Sequence, residues 1–209
     1  MIRTLLQATV LACTLALAAG CSGTFTSKAP VSRAYVLHAA PAAQEAAAAP
    51  MTPAFDGTLR VARANPGPGF ETDRVLLLRD SRELDFYSTG HWAAPIPDMV
   101  TALAIESLRR AALFPGVYGE GTPMRSDYFL QIAVRDFVAE YANEGDAPVA
   151  RVVLDCTLGR RLDRTVIATF TARGQAPATA NRMGEVIAAY EAALQQALAE
   201  VTTSLAAAK

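Results

Sequence analysis

The chain has 209 residues, with 19 Lys and Arg against 20 Asp and Glu and a formal net charge of −1 at neutral pH. So even a balance excludes the broad basic face that nucleic-acid binding requires, and the length allows one ordinary domain with an extension. The hydrophobic share of 52% is inflated by alanine near both ends and in a stretch around residues 39–53, so it does not itself signal a membrane-embedded protein.

The first residues have the layout of an export signal. Arg3 is the positive n-region, Leu5 to Leu17 is an uncharged apolar run, and Ala18-Ala19-Gly20 is a small-residue cleavage site. The run is too short, and too soon followed by polar chain, to span a bilayer. Cys21 comes next, and Leu17-Ala18-Ala19-Gly20-Cys21 resembles a bacterial lipobox, with its leucine four positions before the cysteine instead of three. That resemblance implies that residues 1–20 are a lipoprotein signal peptide and that Cys21 is lipidated and becomes the mature N-terminus. At about 0.8 kcal/mol per buried methylene, several acyl chains on one residue make a lasting anchor. Ser22 stands where an aspartate would favour inner-membrane retention; by resemblance to Gram-negative sorting rules this points to the outer membrane, with the protein facing the periplasm. The lipid on Cys21 is the sole covalent group expected, and no cofactor or metal is.

Residues 21–57 read as a lipidated tether. Residues 22–34 are small and polar, Tyr35-Val36-Leu37 has the pattern of a short first strand, and Ala39 to Pro53 is an Ala/Pro-rich linker or exposed loop. The domain is expected over 58–209. Thr58 to Ala64 alternates as a strand, and Asn65-Pro66-Gly67-Pro68-Gly69 breaks it. Arg74 to Arg79 and Glu83 to Ser88 flank Asp80-Ser81-Arg82 and predict a hairpin. His91 to Pro97 reads as a stiff extended connector, since each proline fixes its own φ and biases its predecessor. A helix follows from near Asp98 to Phe114-Pro115-Gly116, with Val100, Leu103, Ala104, Leu108 and Ala111 inward and Glu106, Arg109 and Arg110 outward.

Tyr128 to Phe137 is the clearest strand, with Tyr128, Leu130, Ile132 and Val134 on one face and Gln131 and Arg135 on the other. After a loop at Asn143 to Asp146, strands at Ala150 to Leu158 and Thr165 to Arg173 flank a tip at Gly159 to Asp163, and Gly174 to Thr179 is a loop. Asn181 to Leu205 is a long amphipathic helix with one apolar stripe that includes Val186, Tyr190, Leu194, Leu198 and Val201. The pattern predicts an α+β fold, a mostly antiparallel sheet with two helices packed on one face.

No HExxH, GxSxG, phosphate-binding glycine loop or metal-spaced His/Cys set is present, and a non-catalytic protein is expected. Spacing alone does not pair Asp80, Glu83 and Asp85 into an acid–base site. Cys13 leaves with the signal and Cys21 takes lipid, so Cys156 has no intramolecular disulfide partner; Val152, Leu154 and Leu158 on its face mark it as a buried, inert thiol. Two features point to a partner surface. Trp92, in a proline-bounded stretch, is either an interface anchor or a plug between hairpin and helix. Arg160, Arg161 and Arg164 cluster at a hairpin tip, and either touch anionic headgroups or an acidic partner or form a solvated turn.

Several of these stretches, taken together and in order, resemble the ABC-type transport auxiliary lipoprotein family. They are the lipobox ending in Cys21, Tyr35-Val36-Leu37, Pro68-Gly69-Phe70-Glu71-Thr72-Asp73-Arg74, the hairpin with Glu83-Leu84 and Phe86-Tyr87, then Trp92, Pro97 and Met99, the strand from Asp127 to Phe137, and the Ala/Leu-rich last helix. The resemblance implies a non-catalytic docking subunit of an MCE-type (mammalian cell entry) system for intermembrane phospholipid transport. Its partners would be an MCE-domain protein with its ABC permease and ATPase, and outer-membrane lipid through Cys21; a homo-oligomer stays among the options. It also gives the interface reading of Trp92 equal standing with the plug. A periplasmic lipid-binding carrier, or a scaffold lipoprotein for outer-membrane or wall assembly, is the alternative.

Overall fold

A computed structural model describes residues 32–39, 53–143 and 145–209. The signal sequence, Cys21 and most of the Ala/Pro stretch lie outside the described residues. In chain order the elements are β1 (Arg33–Tyr35), β2 (Leu59–Val61), β3 (Asn65–Pro66), β4 (Arg74–Arg79), β5 (Glu83–Trp92), α1 (Ile96–Ala111), β6 (Val117–Gly119), β7 (Tyr128–Tyr141), β8 (Val149–Arg160), β9 (Val166–Pro177) and α2 (Met183–Ala207).

Strand β7, 14 residues long, is the spine of a nine-stranded sheet. One edge pairs antiparallel with β8, which pairs antiparallel with β9. The other edge takes three parallel segments in succession, β2 at Tyr128–Leu130, β3 at Ala133–Val134 and β4 at Ala139–Tyr141. Strand β6 extends β2, while β5 extends β4 and β1 extends β5. Tyr128, Leu130, Ile132 and Val134 are buried, as their alternation requires. A bulge between Val134 and Asp136 then shifts the phase, so that Phe137 and Ala139 continue the buried face opposite Val152 and Ala150.

Both helices pack on the sheet through one shared core. Helix α1 starts behind Pro95 with Pro97 in its first turn, where a missing N–H is harmless, and ends at Ala112 in the left-handed region (φ 51°). Helix α2 buries Val186, Tyr190, Leu194, Leu198 and Val201, and the Tyr190 hydroxyl donates to the Leu76 carbonyl. Along the β9 edge, Glu200 accepts the Arg173 N–H (2.6 Å) and Gln196 accepts the Gln175 N–H (3.1 Å), so the helix closes that stretch of open strand edge.

The α+β expectation holds; α1 begins at Ile96 instead of near Asp98, and the other differences from the sequence reading involve strand pairing. Asn65-Pro66, expected only to break a strand, forms β3, and the Gly67 N–H donates to the Val134 carbonyl at 2.9 Å. His91 and Trp92 belong to β5, not to a free connector. Here β1 pairs alongside at Arg33–Tyr35, and the Trp92 N–H reaches the Asp73 carbonyl at 2.6 Å. The first strand precedes Val36, and Leu37, Ala39 and Phe55 are buried in the shared core. Strand β9 runs through Gly174 to Pro177 instead of turning into a loop at Gly174.

The β4–β5 turn has a cost the sequence can relieve. Asp80 (φ 48°) and Ser81 (φ 56°) both lie in the left-handed region and the Arg82 N–H closes on the Arg79 carbonyl at 3.0 Å, as in a type I′ turn. Asp80→Asn with Ser81→Gly should therefore raise the unfolding free energy by about 1 kcal/mol, read from the urea midpoint at unchanged slope.

Candidate functional site

Trp92 is 1% exposed. Its ring meets Phe137 edge-on at 5.8 Å and Tyr190 edge-on at 5.2 Å, and those two rings stack at 5.1 Å. The tryptophan therefore sits where β5, β7 and α2 converge and offers no ring surface to a partner. This corrects the interface reading in favour of the plug: pairing on both sides of β5 carries the side chain inward. Cys156 is fully buried, and burial first, then the Asp155 charge, pushes its thiol up to about 12. Such a thiol stays protonated and unreactive at neutral pH.

The arginines of the tip are where the sequence placed them. The β8–β9 hairpin closes through the Arg160 N–H on the Thr165 carbonyl (2.9 Å), and the Arg161 N–H donates to the Asp127 carbonyl (2.8 Å), tying the tip to the start of β7. Arg160 lies 3.6 Å from Asp163, whose carboxyl is held below its usual range by the hydroxyl and N–H of Thr165. Leu162, between them, is 93% exposed, and Arg164 holds a left-handed φ of 58°.

Sequence reasoning missed what lies beside the tip. Arg60 on β2 donates through Nη1 to the Glu120 carbonyl at 2.9 Å and through Nη2 to the Met124 carbonyl, fastening the loop that precedes β7. Asp127 accepts the Thr58 N–H at 2.8 Å and fixes the same loop from its other end. These contacts bring Arg60, Arg125 and Arg161 around a cleft of about 360 Å³ that Pro123, Met124 and Ser126 complete. The alternation of Thr58 to Ala64 sets Arg60 off the face of Leu59 and Val61, which was the one sequence signal available.

Other clefts lie elsewhere on the fold, two of them at the far end of β7 and between the helices. At the opposite end of β7, Arg79, Asp80, Glu83, Tyr141, Asn143 and Asn181 line a polar one of about 560 Å³. There the Tyr87 and Tyr141 hydroxyls lie 2.7 Å apart and Tyr141 donates to Asn181 at 2.8 Å; burial, then Tyr141, raises the Tyr87 phenol above its ordinary value. Asp85 pairs with Arg79 at 3.3 Å. Between the helices, Ala111, Ala192, Ala199 and Thr203 help to line a shallow groove of about 630 Å³. Among the described residues no group of three or more His, Cys, Asp or Glu is placed to hold a metal ion, and no helix is long and apolar enough to cross a membrane.

No curated protein matches the chain. Among solved structures it is similar to protein XCC0632 from Xanthomonas campestris, with 25% identity and a TM-score of 0.70 over 86% of this chain and 96% of that one. It is also similar in fold to a protein described as uncharacterized, with 15% identity and a TM-score of 0.60 over 85% of this chain and 97% of that one. The sequence pattern of the ABC-type transport auxiliary lipoprotein component matches residues 35–202, which takes in all but the ends of the folded unit. On that match, the chain belongs to the family of ABC-type transport auxiliary lipoproteins.

Proposed function

We propose that this protein is the docking subunit of an MCE-type ABC transport system for phospholipid, held at the outer membrane by acyl chains on Cys21 and facing the periplasm. The family match over residues 35–202 carries the reading. The packing of the folded unit supports a dock over a carrier. Side chains from the sheet and both helices fill the space between them, and the clefts at the far end of β7 and between the helices are lined by polar or small residues. The exposed tip with Arg160, Arg161, Arg164 and Leu162 is the surface we assign to the partner. Exposed arginines and one bare apolar side chain at a hairpin tip give steering charge and a contact point together.

The test is affinity recovery of the lipidated protein from crosslinked envelopes, read by mass spectrometry. An MCE-domain protein recovered with its permease upholds the reading. Recovery of outer-membrane or wall-assembly factors alone overturns it. Anchoring is tested separately. Cys21→Ala should move the protein from the outer-membrane fraction to the soluble periplasm and abolish its support of envelope integrity, because the acyl chains are its only proposed hold on the bilayer. Full function from the soluble variant would remove the anchor from the mechanism.

A further inference from the structure

We infer that the cleft formed by Arg60, Arg125, Arg161 and Ser126 is a binding site for a phosphate group, of phosphomonoester or phosphodiester chemistry. The site stands on these residues alone and does not depend on the transporter reading.

The first observation is charge without a counter-charge. Across the sheet and helices, arginines 63, 79, 110, 135, 151, 160 and 182 each have a carboxylate within ion-pair distance. Arg60, Arg125 and Arg161 are among the arginines that have none within the described residues, and these three converge on one cleft. Guanidinium groups remain protonated at every physiological pH, so an anion, and not proton loss, is what balances charge in this cleft.

The second observation is donor capacity left over. The Arg60 Nε and the Ser126 Oγ are shielded from solvent and have no hydrogen-bond partner among the described residues. Buried donors are ordinarily paired, and both of these belong to residues lining the same cleft.

The third is preorganisation. The Arg60 guanidinium is locked by the Glu120 and Met124 carbonyls, the Asp127 carbonyl accepts the Arg161 backbone N–H, and the Asp127 carboxylate accepts the Thr58 N–H. The Arg60 guanidinium and the backbone that carries Arg125 and Arg161 are therefore set before a ligand arrives, which reduces the ordering cost of binding.

The number and placement of donors favour phosphate over carboxylate. A carboxylate occupies one guanidinium fork, whereas three guanidinium groups match the several oxygens of a tetrahedral anion. The volume of about 360 Å³ suits a headgroup and not an acyl chain. Met124 (52% exposed) on the rim and Leu162 (93% exposed) on the neighbouring tip add apolar surface for the remainder of a phospholipid.

The mature lipidated protein in nonionic detergent micelles, at constant ionic strength, is titrated with inorganic phosphate, with dihexanoylphosphatidylglycerol and with acetate, following the arginine Nε–Hε NMR signals. The Arg60, Arg125 and Arg161 signals should shift saturably with a phosphate-bearing probe while those of Arg82 and Arg173 do not. Arg125→Gln and Arg161→Gln should each weaken binding about tenfold with an unchanged circular dichroism spectrum, and Arg161→Lys should recover part of the loss. Response to the lipid alone identifies a headgroup as the source, and response to inorganic phosphate alone identifies a soluble phosphate; either upholds the site. Equal saturation by acetate would assign the cleft to a partner's carboxylate, and shifts spread over all arginines would mean general charge screening. Both of those outcomes overturn the proposal, as does the absence of any saturable shift.

Discussion

Gly174→Ala should destabilise the protein by about 3 kcal/mol or more, a large loss for a single added methyl. A Cβ at this position would lie 1.8 Å from the Ala193 carbonyl oxygen and 2.8 Å from the Ala193 carbonyl carbon and the Ala197 nitrogen. All three atoms are backbone of α2, so no rotamer change relieves the overlap and the helix itself must lift from β9. Lifting it would stretch the Arg173–Glu200 and Gln175–Gln196 hydrogen bonds and open the packing around Ala193, Leu194 and Ala197, all fully buried. The built-in control is Gly184→Ala, near the start of α2, where a Cβ meets nothing within 4 Å. The same chemical change there should stabilise by a few tenths to about 1 kcal/mol through helix propensity. Urea titrations of the two variants should thus move in opposite directions. A Gly174→Ala loss below about 1 kcal/mol would contradict the sheet–helix contact described here.

Trp92→Ala should cost about 3–5 kcal/mol, the range for emptying a large aromatic site in a packed core. The void would border Phe137 and Tyr190, themselves fully buried, and removing the indole deletes two edge-to-face contacts. Because such a variant could lose partner binding simply by unfolding, Trp92→Phe is the informative companion. It should cost less stability, remain folded at ambient temperature and recover the same crosslinked partners as the parent protein. Loss of partners from a folded Trp92→Phe protein would restore the interface role that the burial of Trp92 argues against.

The proposed function draws on two unlike sources. The proposed anchor is read from local sequence, a short segment ending in Cys21. The proposed partner-facing surface depends on assembly. Arg160, Arg161 and Arg164 are close in sequence and were legible as a cluster. Arg60 and Arg125 are separated from them by long stretches of chain and reach the same end of the sheet because β2 and β8 pair on opposite edges of β7. The left-handed φ of Arg164 fits a tip shaped for side-chain presentation, since glycine would occupy that backbone conformation with less strain.

Local patterns in the chain reach as far as features that depend on neighbours a few residues away. The period of two from Tyr128 to Val134 marked the central strand, the stripe from Val186 to Leu205 marked the packing helix, and the surrounding alternation marked Cys156 as buried; all three agree with the observed burial. The lipobox reading at Leu17 to Cys21 rests on the same class of local signal and lies outside the described residues. Tertiary structure decided the rest. Asn65-Pro66 and His91-Trp92 have weak or contrary local preferences and become strand because β7 and β1 offer them partners. Gly174 reads as a loop residue in isolation and turns out to be the point where a helix touches a sheet. The arginine cleft has no local signature, because its charges come from three separate segments. Hydrogen bonding between distant strands and the close approach of α2 outweigh intrinsic preferences of about 1 kcal/mol per residue, and neither is encoded within any single window of the chain.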